Sequence, residues 1–509
     1  MKKSERFILT ALFLFLVTTV LVMSGPPTVR NDVMIRGLAP DPVGECDVTF
    51  YNEEILSFPT PTSVELTLLP AEASDFYVTY KSPNDLRQQK TTVQSSTGNA
   101  LLHFTLTGLK SAQEYEYQVH CKTPDDNAFG ARKIHTFRTL SHVEDTTFTF
   151  GFVPDTHAYT LWATATCGTD TTKLSKLQAN IANMISDDLS FVVLGGDWAM
   201  ITCTPNGCPA CTVHGENVSS AGASSQKDAD LHYDQIFSPA VLGNLFKETP
   251  MVYVLGDHEG EAGYGGNKLL WGKNARLNHL VNAVDVYNGG EDEGRYYSFE
   301  VGDLQVVVID VMRNTLTSPT VADDWTLGPA QLAWLNQTLA RSNKQWKFIF
   351  AEHLVGGEQG STSSNFYKGR GSIKATDDNT PRGIYKGEQA IIEQMMIDYG
   401  AQIFFSGNDH VASIGEKLNA QGDMTTLHVI GGTSGIGAGW IGIPPYPAEM
   451  TWPPYNIPSF STQIIGTKTP GYFRITLNGK DSALLEYVRA VPNSGSGNGD
   501  VHLTYLLEA

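Results

Sequence analysis

This chain of 509 residues has little positive charge: 35 Lys and Arg stand against 54 Asp and Glu, a formal net charge of −19. A nucleic acid or an anionic membrane surface needs a basic face, so neither is expected as a partner. A small anionic substrate remains compatible, provided local cations overcome the overall field, and metal ions are the obvious candidates. Charged residues of both signs make up only 17% while hydrophobic residues make up 41%, which excludes a disordered chain and allows a large buried core. Low-complexity sequence is nearly absent; the stretch Ser494–Gly499 reads as a loop before a last strand. Apolar runs of membrane-spanning length are also missing after residue 23. Cysteines are few, six in all, but even in number and absent from the N-terminal run, the pattern of an oxidising compartment.

The length exceeds the roughly 150 residues of one typical domain, so two or three domains are expected. Lys2, Lys3 and Arg6 precede an apolar run from Phe7 to Met23, followed by Ser24, Gly25 and two prolines. A basic head, an apolar middle and small residues have the form of a secretory signal over 1–25. The run is long for a signal and borderline for a span, so a cleaved signal and a retained anchor both fit. Either one places the remainder outside the cytoplasm: secreted, periplasmic or at the cell surface.

Between Val48 and Leu140 short alternating stretches predict strands at Ser63–Leu69, Asp75–Tyr80, Ala100–Leu106 and Tyr115–His120, separated by Pro, Gly, Asn and Ser. The run Leu106-Thr-Gly-Leu-Lys, then Tyr115-Glu-Tyr-Gln-Val, ending in Phe137-Arg-Thr, resembles the second half of a fibronectin type III sandwich. Cys46 and Cys121, near its start and in its later strands, are expected to pair. No catalytic cluster falls here, so residues 28–140 read as a structural or positioning module.

Beyond the linker Ser141–Asp145 the pattern changes. Strand-length apolar runs at Phe148–Val153, Leu189–Leu194, Met251–Leu255, Val306–Ile309, Lys347–Phe350, Gln402–Phe405 and Leu427–Ile430 alternate with helical stripes. The stripes are Leu174, Leu177, Ile181 and Met184; Leu332, Leu335 and Leu339; and Ile391, Met395 and Tyr399. Continuous apolar strands with amphipathic helices predict α/β layers over 146–509.

The residues just after each strand carry the chemistry. The strands run in turn into Asp155-Thr156-His157, Gly195-Gly196-Asp197, Gly256-Asp257-His258-Glu259, Ala351-Glu352-His353 and Ser406-Gly407-Asn408-Asp409-His410. Open α/β sheets place their sites at such carboxyl ends. Asp and His together suit divalent or trivalent first-row metals, and one carboxylate can bridge two ions. Singly, each block is an ordinary turn or cap; five in order, each on a strand end, are not coincidence.

The ordered blocks resemble the calcineurin-like metallophosphoesterases, with motifs Asp-x-His, Gly-Asp, Gly-Asn-His-Asp/Glu, a lone His, then Gly-His-x-His. Tyr297-Ser-Phe, Val308-Ile-Asp310 and Gln331-Leu-Ala-Trp-Leu335 look like the family's approach to its lone His. The pairing with an N-terminal sandwich is similar to purple acid phosphatases and alkaline phosphatase D-like enzymes. The resemblance implies an α/β (α+β layered) catalytic domain, two β-sheets in a sandwich flanked by helices, preceded by the all-β fibronectin III-like sandwich. It implies one metal site from Asp155, His157, Asp197 and His410, and a second from Asp197 as bridge, Asp257, His353 and Asn408. His258 would bind phosphate and protonate the leaving oxygen, with Glu259 orienting or charging it. The implied reaction is hydrolysis of a small phosphate monoester by a metal-bound hydroxide; a phosphodiesterase or nucleotidase is the neighbouring reading. A protein that retains one metal and binds without turnover is the rival from another class.

The sequence departs from the family pattern at Asp257, where the family has Asn, and at Asn408, where it has His. Both changes leave oxygen donors, and together they make the second site harder, favouring Mn, Mg, Ca or Fe over Zn. The other reading is a weakened second site. Met200 stands where purple enzymes carry their ligating Tyr, three residues after the bridging Asp, so no purple chromophore is expected. Cys167, Cys203, Cys208 and Cys211 fit two disulfides, or a structural zinc site. The insert from Glu358 to Gly387 brings Arg370, Lys374 and Arg382, candidates for binding substrate phosphate, although a solvated loop is the simpler explanation. Tyr159, Trp162 and Trp198 lie near metal motifs, where packing and stacking on an aromatic leaving group are equally good explanations. Asn217-Val-Ser and Asn336-Gln-Thr are glycosylation sequons, meaningful only in a eukaryotic secretory pathway.

Overall fold

A computed structural model describes residues 44–157, 171–202, 211–213, 216–218, 222–291, 293–317, 326–353, 388–408, 410, 412–419, 421–433, 450–451, 460–467, 470–492 and 495–509. The expected signal or anchor lies outside these. Among the described residues no helix is long and apolar enough to cross a membrane.

Among the described residues two nine-stranded sheets make up most of the fold. In the first, Thr147–Val153, Val192–Leu194 and Met251–Tyr253 run parallel, with Gly471–Asn478, Ser482–Arg489 and Val501–Glu508 added antiparallel on one side. In the second, Leu304–Val308, Trp346–Phe350 and Ile403–Ser406 run parallel. Alternation sorts the side chains of the second sheet. Val306, Val308, Phe348, Phe350 and Phe405 enter the large core shared with Phe150 and Phe152 of the first sheet. Val307, Ile309, Ile349 and Phe404 turn the other way and pack with Leu335, Leu339, Ile392 and Met396 from the helices Gly328–Arg341 and Glu388–Tyr399. Phe350 stacks on Phe405 at 4.6 Å and Phe152 meets Phe405 at 5.2 Å, so aromatic rings knit the two inner faces. Each such ring contributes roughly 1.5–3 kcal/mol by burial. Helices Thr171–Ser186, Gln226–Ile236 and Asn267–His279 add Leu177, Ile181, Met184, Tyr233, Ile236 and Ala275 to this core.

Of the third helical stripe, Met395 and Tyr399 pack partly buried against the cluster of Leu335 and Ile349, whereas Ile391 is 44% exposed and its neighbour Ile392, with Met396, is buried instead. The buried face is centred one residue from the expected stripe because Ile391-Ile392 and Met395-Met396 are doubled apolar pairs that fit either register.

The N-terminal strands form a β-sandwich around its own core of Leu66, Leu68, Phe76, Val78, Phe104, Tyr117 and Val119. The Lys110 N–H donates to Tyr115 Oη at 2.8 Å, a tyrosine bonding back to the preceding corner as in immunoglobulin-type sandwiches. Cys46 and Cys121 form the expected disulfide. One sandwich layer, Phe50–Ser57, Val64–Pro70 and Leu102–Leu106, is continuous with the first large sheet, since Ser57 pairs in parallel with Met251. Tyr117 Oη also donates to Lys247 O at 2.8 Å, and His135 pairs with Glu248. The sandwich therefore braces the segment leading into Met251–Tyr253, the strand that delivers Asp257 and His258.

Candidate metal centre at the strand ends

All five ligand-bearing loops begin at the carboxyl ends of these parallel strands, on one edge of the sheet pair. Their backbone is bent to aim side chains inward. Asp155, His157, Asp197, Asn408 and His410 adopt φ of 54°, 45°, 57°, 64° and 57°, a left-handed conformation that non-glycine residues seldom take. Each such residue costs on the order of 1 kcal/mol or more, and such strain concentrates at functional sites. Backbone bonds hold it: Asp155 N donates to Gly196 O and His157 N to Asp197 O, both at 3.0 Å. The Asn408 N–H donates to the Asp155 carboxylate at 2.9 and 3.0 Å. Gly407 has no side chain because a Cβ there would lie 2.6 Å from Asp155 Oδ2.

The side chains converge in overlapping groups whose ligand atoms lie within 4.8 Å of one another: Asp155, His157 and His410; His157, Asp197 and His258; Asp155, Asp197 and Glu352; Asp257, Glu352 and His353. Within these, His157 Nε2 is 3.5 Å from Asp155 Oδ1 and 3.4 Å from Asp197 Oδ2, and His410 Nε2 is 3.3 Å from Asp155 Oδ1. Asp155, Asp197, Glu352, His157 and His353 are all at most 2% exposed. Burial raises the Asp197 carboxyl well above the usual carboxylate range, and the negative charges of Asp257, Glu259 and Asp155 add to this. Burial likewise opposes ionisation of Asp155, but His410 and His157 outweigh it and hold that carboxyl low. Burial, helped by His410, pushes His157 down to about 3, so its ring is neutral at neutral pH, the form that binds metals. Packing acidic oxygens together in a buried site is costly unless a cation is shared among them. The donor set of carboxylate oxygens and neutral imidazoles therefore fits a pair of first-row or hard metal ions.

His258 is the most accessible histidine of the group, its side chain 22% exposed. Its N–H donates to Asp197 Oδ1 at 3.0 Å, and its ring Nδ1 contacts Thr202 O at 2.6 Å. Because a carbonyl can only accept, Nδ1 carries a proton and Nε2 faces the carboxylates, 3.8 Å from Asp197 and 3.9 Å from Asp257. Thr202 clamps the same loop twice more, its N–H donating to His258 O and its hydroxyl to Asp257 O.

The resemblance implies that Glu259 orients or charges His258; the structure gives it a different task. Its carboxylate is buried and accepts from the backbone N–H groups of Asp197, Trp198, Ala199 and Gly256 at 2.7–3.0 Å. Burial nonetheless lifts it to about 7, against the pull of those donors. It braces the Asp197 loop against the His258 loop, and the orienting contact to His258 comes from Thr202 instead. Trp198 is buried, donates to Val153 O at 3.1 Å and packs on Phe246, so packing accounts for it. Asn408 is brought in through its backbone N–H. Sequence reasoning misses Glu352 and Thr202. A Glu between an apolar strand and a proposed ligand is a usable signal for the first; a backbone carbonyl acceptor leaves none. Arg370, Lys374, Arg382, Tyr159, Trp162, Cys167, Cys203 and Cys208 lie outside the described residues.

No family model and no curated protein matches this sequence. Solved structures do. A purple acid phosphatase, PPD1 from yellow lupin (Lupinus luteus) seeds, superposes with a TM-score of 0.59 at 14% identity, covering 90% of this chain and 74% of that one. PhoD superposes at 0.57 with 15% identity, covering 92% and 90%. The chain has the calcineurin-like metallophosphoesterase fold. Both likenesses extend over at least 90% of this chain.

Proposed function

We propose that this protein is a metal-dependent hydrolase of small phosphate monoesters acting outside the cytoplasm. The observation that carries the reading is the convergence of Asp155, His157 and His410 in one group and Asp257 and His353 in another, with Asp197 beside the first and close enough to feel the charge of Asp257. The metallophosphoesterase fold supports the same reaction class, and the Cys46–Cys121 disulfide supports an oxidising compartment.

Asp155, His157, Asp197 and His410 would hold one ion, and Asp197, Asp257 and His353 the other, with Asn408 a candidate donor beside them. When bound, such a pair lowers the pKa of water and neutralises charge on the phosphoryl oxygens. The protein's own groups do the rest. Thr202 O takes the Nδ1–H of His258 so that Nε2 faces the centre, where the imidazolium form would give its second proton to the departing oxygen. Glu259 ties the two loops together and keeps Asp197 and His258 in register. Burial of Asp155, Asp197 and Glu352 strengthens the charge interactions among them.

The test is turnover of an aryl phosphate monoester and the corresponding diester by purified protein, with elemental analysis of the same sample. Metal-dependent hydrolysis favouring the monoester is expected. Diester preference would move the reading to a phosphodiesterase, and bound metal without turnover would favour the binding-protein rival.

A further inference from the structure

Glu352 belongs to both halves of the centre. Its oxygens lie within 4.8 Å of ligand atoms of Asp155 and Asp197, and also of Asp257 and His353. Atoms bound to one ion at about 2.0–2.2 Å lie at most about 4.4 Å apart, so only small shifts separate this arrangement from coordination. The placement is built into the fold. The ladder continues past the end of Trp346–Phe350, with Ala351 N donating to Phe405 O at 3.0 Å and Gly407 N to Glu352 O at 2.9 Å. Glu352 thus follows Phe350 by two residues in extended register, and its side chain points to the same inner side as that core ring. Across from it stands Gly196, φ +98°, where a Cβ would overlap the Cβ and Cγ of Glu352. The glycine before the bridging Asp leaves room for this carboxylate. Its side chain also contacts His353 Nδ1.

We propose that Glu352 is a ligand shared between the two metal positions, a second carboxylate bridge beside Asp197, and that it fits the pair for hard, oxygen-preferring ions. The inference rests on the metallophosphoesterase reading of the site. With Asp155, Asp197 and Asp257, Glu352 supplies a fourth carboxylate, enough to neutralise two divalent ions fully. Attraction for a phosphate dianion then favours a trivalent ion in one position, and manganese or iron over zinc.

The experiment uses the full chain, stripped by chelation and titrated with Mn²⁺ and with Zn²⁺, followed by calorimetry and by electron paramagnetic resonance of the dimanganese form. E352Q is expected to lose about 10–100-fold in Mn²⁺ affinity, the range seen when groups supporting a metal are removed. It should lose less for Zn²⁺ and show a changed exchange coupling between the manganese ions. E352D keeps the charge but shortens the reach, and should lose Mn²⁺ affinity as well. If E352Q fails to fold, as judged by circular dichroism, E352D carries the test alone. Wild-type Mn²⁺ affinity and an unchanged coupled spectrum in either folded variant would overturn the inference while leaving the site reading intact. A wild type that binds fewer than two ions would overturn both.

Discussion

Replacing His258 with Ala separates two roles that its geometry allows. The ring is fixed through Nδ1–H to Thr202 O at 2.6 Å, and Nε2 stands 3.8 and 3.9 Å from the nearest carboxylate oxygens, beyond hydrogen-bond range. With Nδ1–H given to Thr202, the acid would be the imidazolium, whose Nε2–H faces the centre and could pass to a substrate oxygen. A positioned acid contributes roughly 10²–10⁴-fold, or about 3–5 kcal/mol of the barrier. The contribution should depend on the leaving group: an alkoxide needs the proton, whereas p-nitrophenolate leaves without it. His258→Ala is expected to lower kcat on an alkyl phosphate by roughly 10²–10⁴-fold and on p-nitrophenyl phosphate by about tenfold or less, with metal content unchanged. The assay is steady-state hydrolysis of both esters with metal analysis of the same preparations. Metal-ligating histidines also donate their second N–H to a carbonyl, so the metal count decides. Loss of an ion would make His258 a ligand, and equal rate losses on both esters with metal retained would remove the proton-donor role.

Other positions give equally definite expectations. Gly196→Ala places a methyl against Glu352 at a φ of +98° and should destabilise the protein by roughly 2–4 kcal/mol, read by thermal denaturation. Burial, with help from Lys268 and against Asp228, pushes His232 down to about 4 from its ordinary 6.5. The unfolded chain therefore takes up that proton first, so stability is full above about pH 6.5 and falls by about 3 kcal/mol as pH drops toward 4. Denaturant melts of His232→Gln should show a shallower loss over that window, and an unchanged slope would contradict the assignment. The disulfide closes a separation of 75 residues, so Cys46→Ser with Cys121→Ser should cost about 4 kcal/mol by loop entropy, measured by denaturant titration.

Most of the parallel strands of the two large sheets are legible in the sequence because they are continuous apolar runs. The expected Lys347–Phe350 is Trp346–Phe350, and the expected Gln402–Phe405 is Ile403–Ser406. The strand Phe50–Ser57 is not legible, since Asn52, Glu53 and Glu54 break its apolar pattern. Its two glutamates are accounted for across the sandwich, where Arg132 pairs with both. The antiparallel strands Gly471–Asn478 and Ser482–Arg489 escape notice for a related reason, as Arg474 and Glu486 form a cross-strand pair within them. At the site, Asp and His after glycine-marked turns are readable by type and order. Which nitrogen of His258 faces the centre, and what Glu259 grips, depends on backbone acceptors and donors that carry no residue signature.

Anomalous diffraction from metal-loaded crystals at the absorption edges of the bound elements tests the central claim most directly. The account predicts two peaks about 3.5–4 Å apart. One should lie beside Asp155, His157 and His410, the other beside Asp257 and His353, with Asp197 contacting both. A single peak, or two peaks that do not share Asp197, would contradict the two-metal site from which the proposed hydrolysis follows.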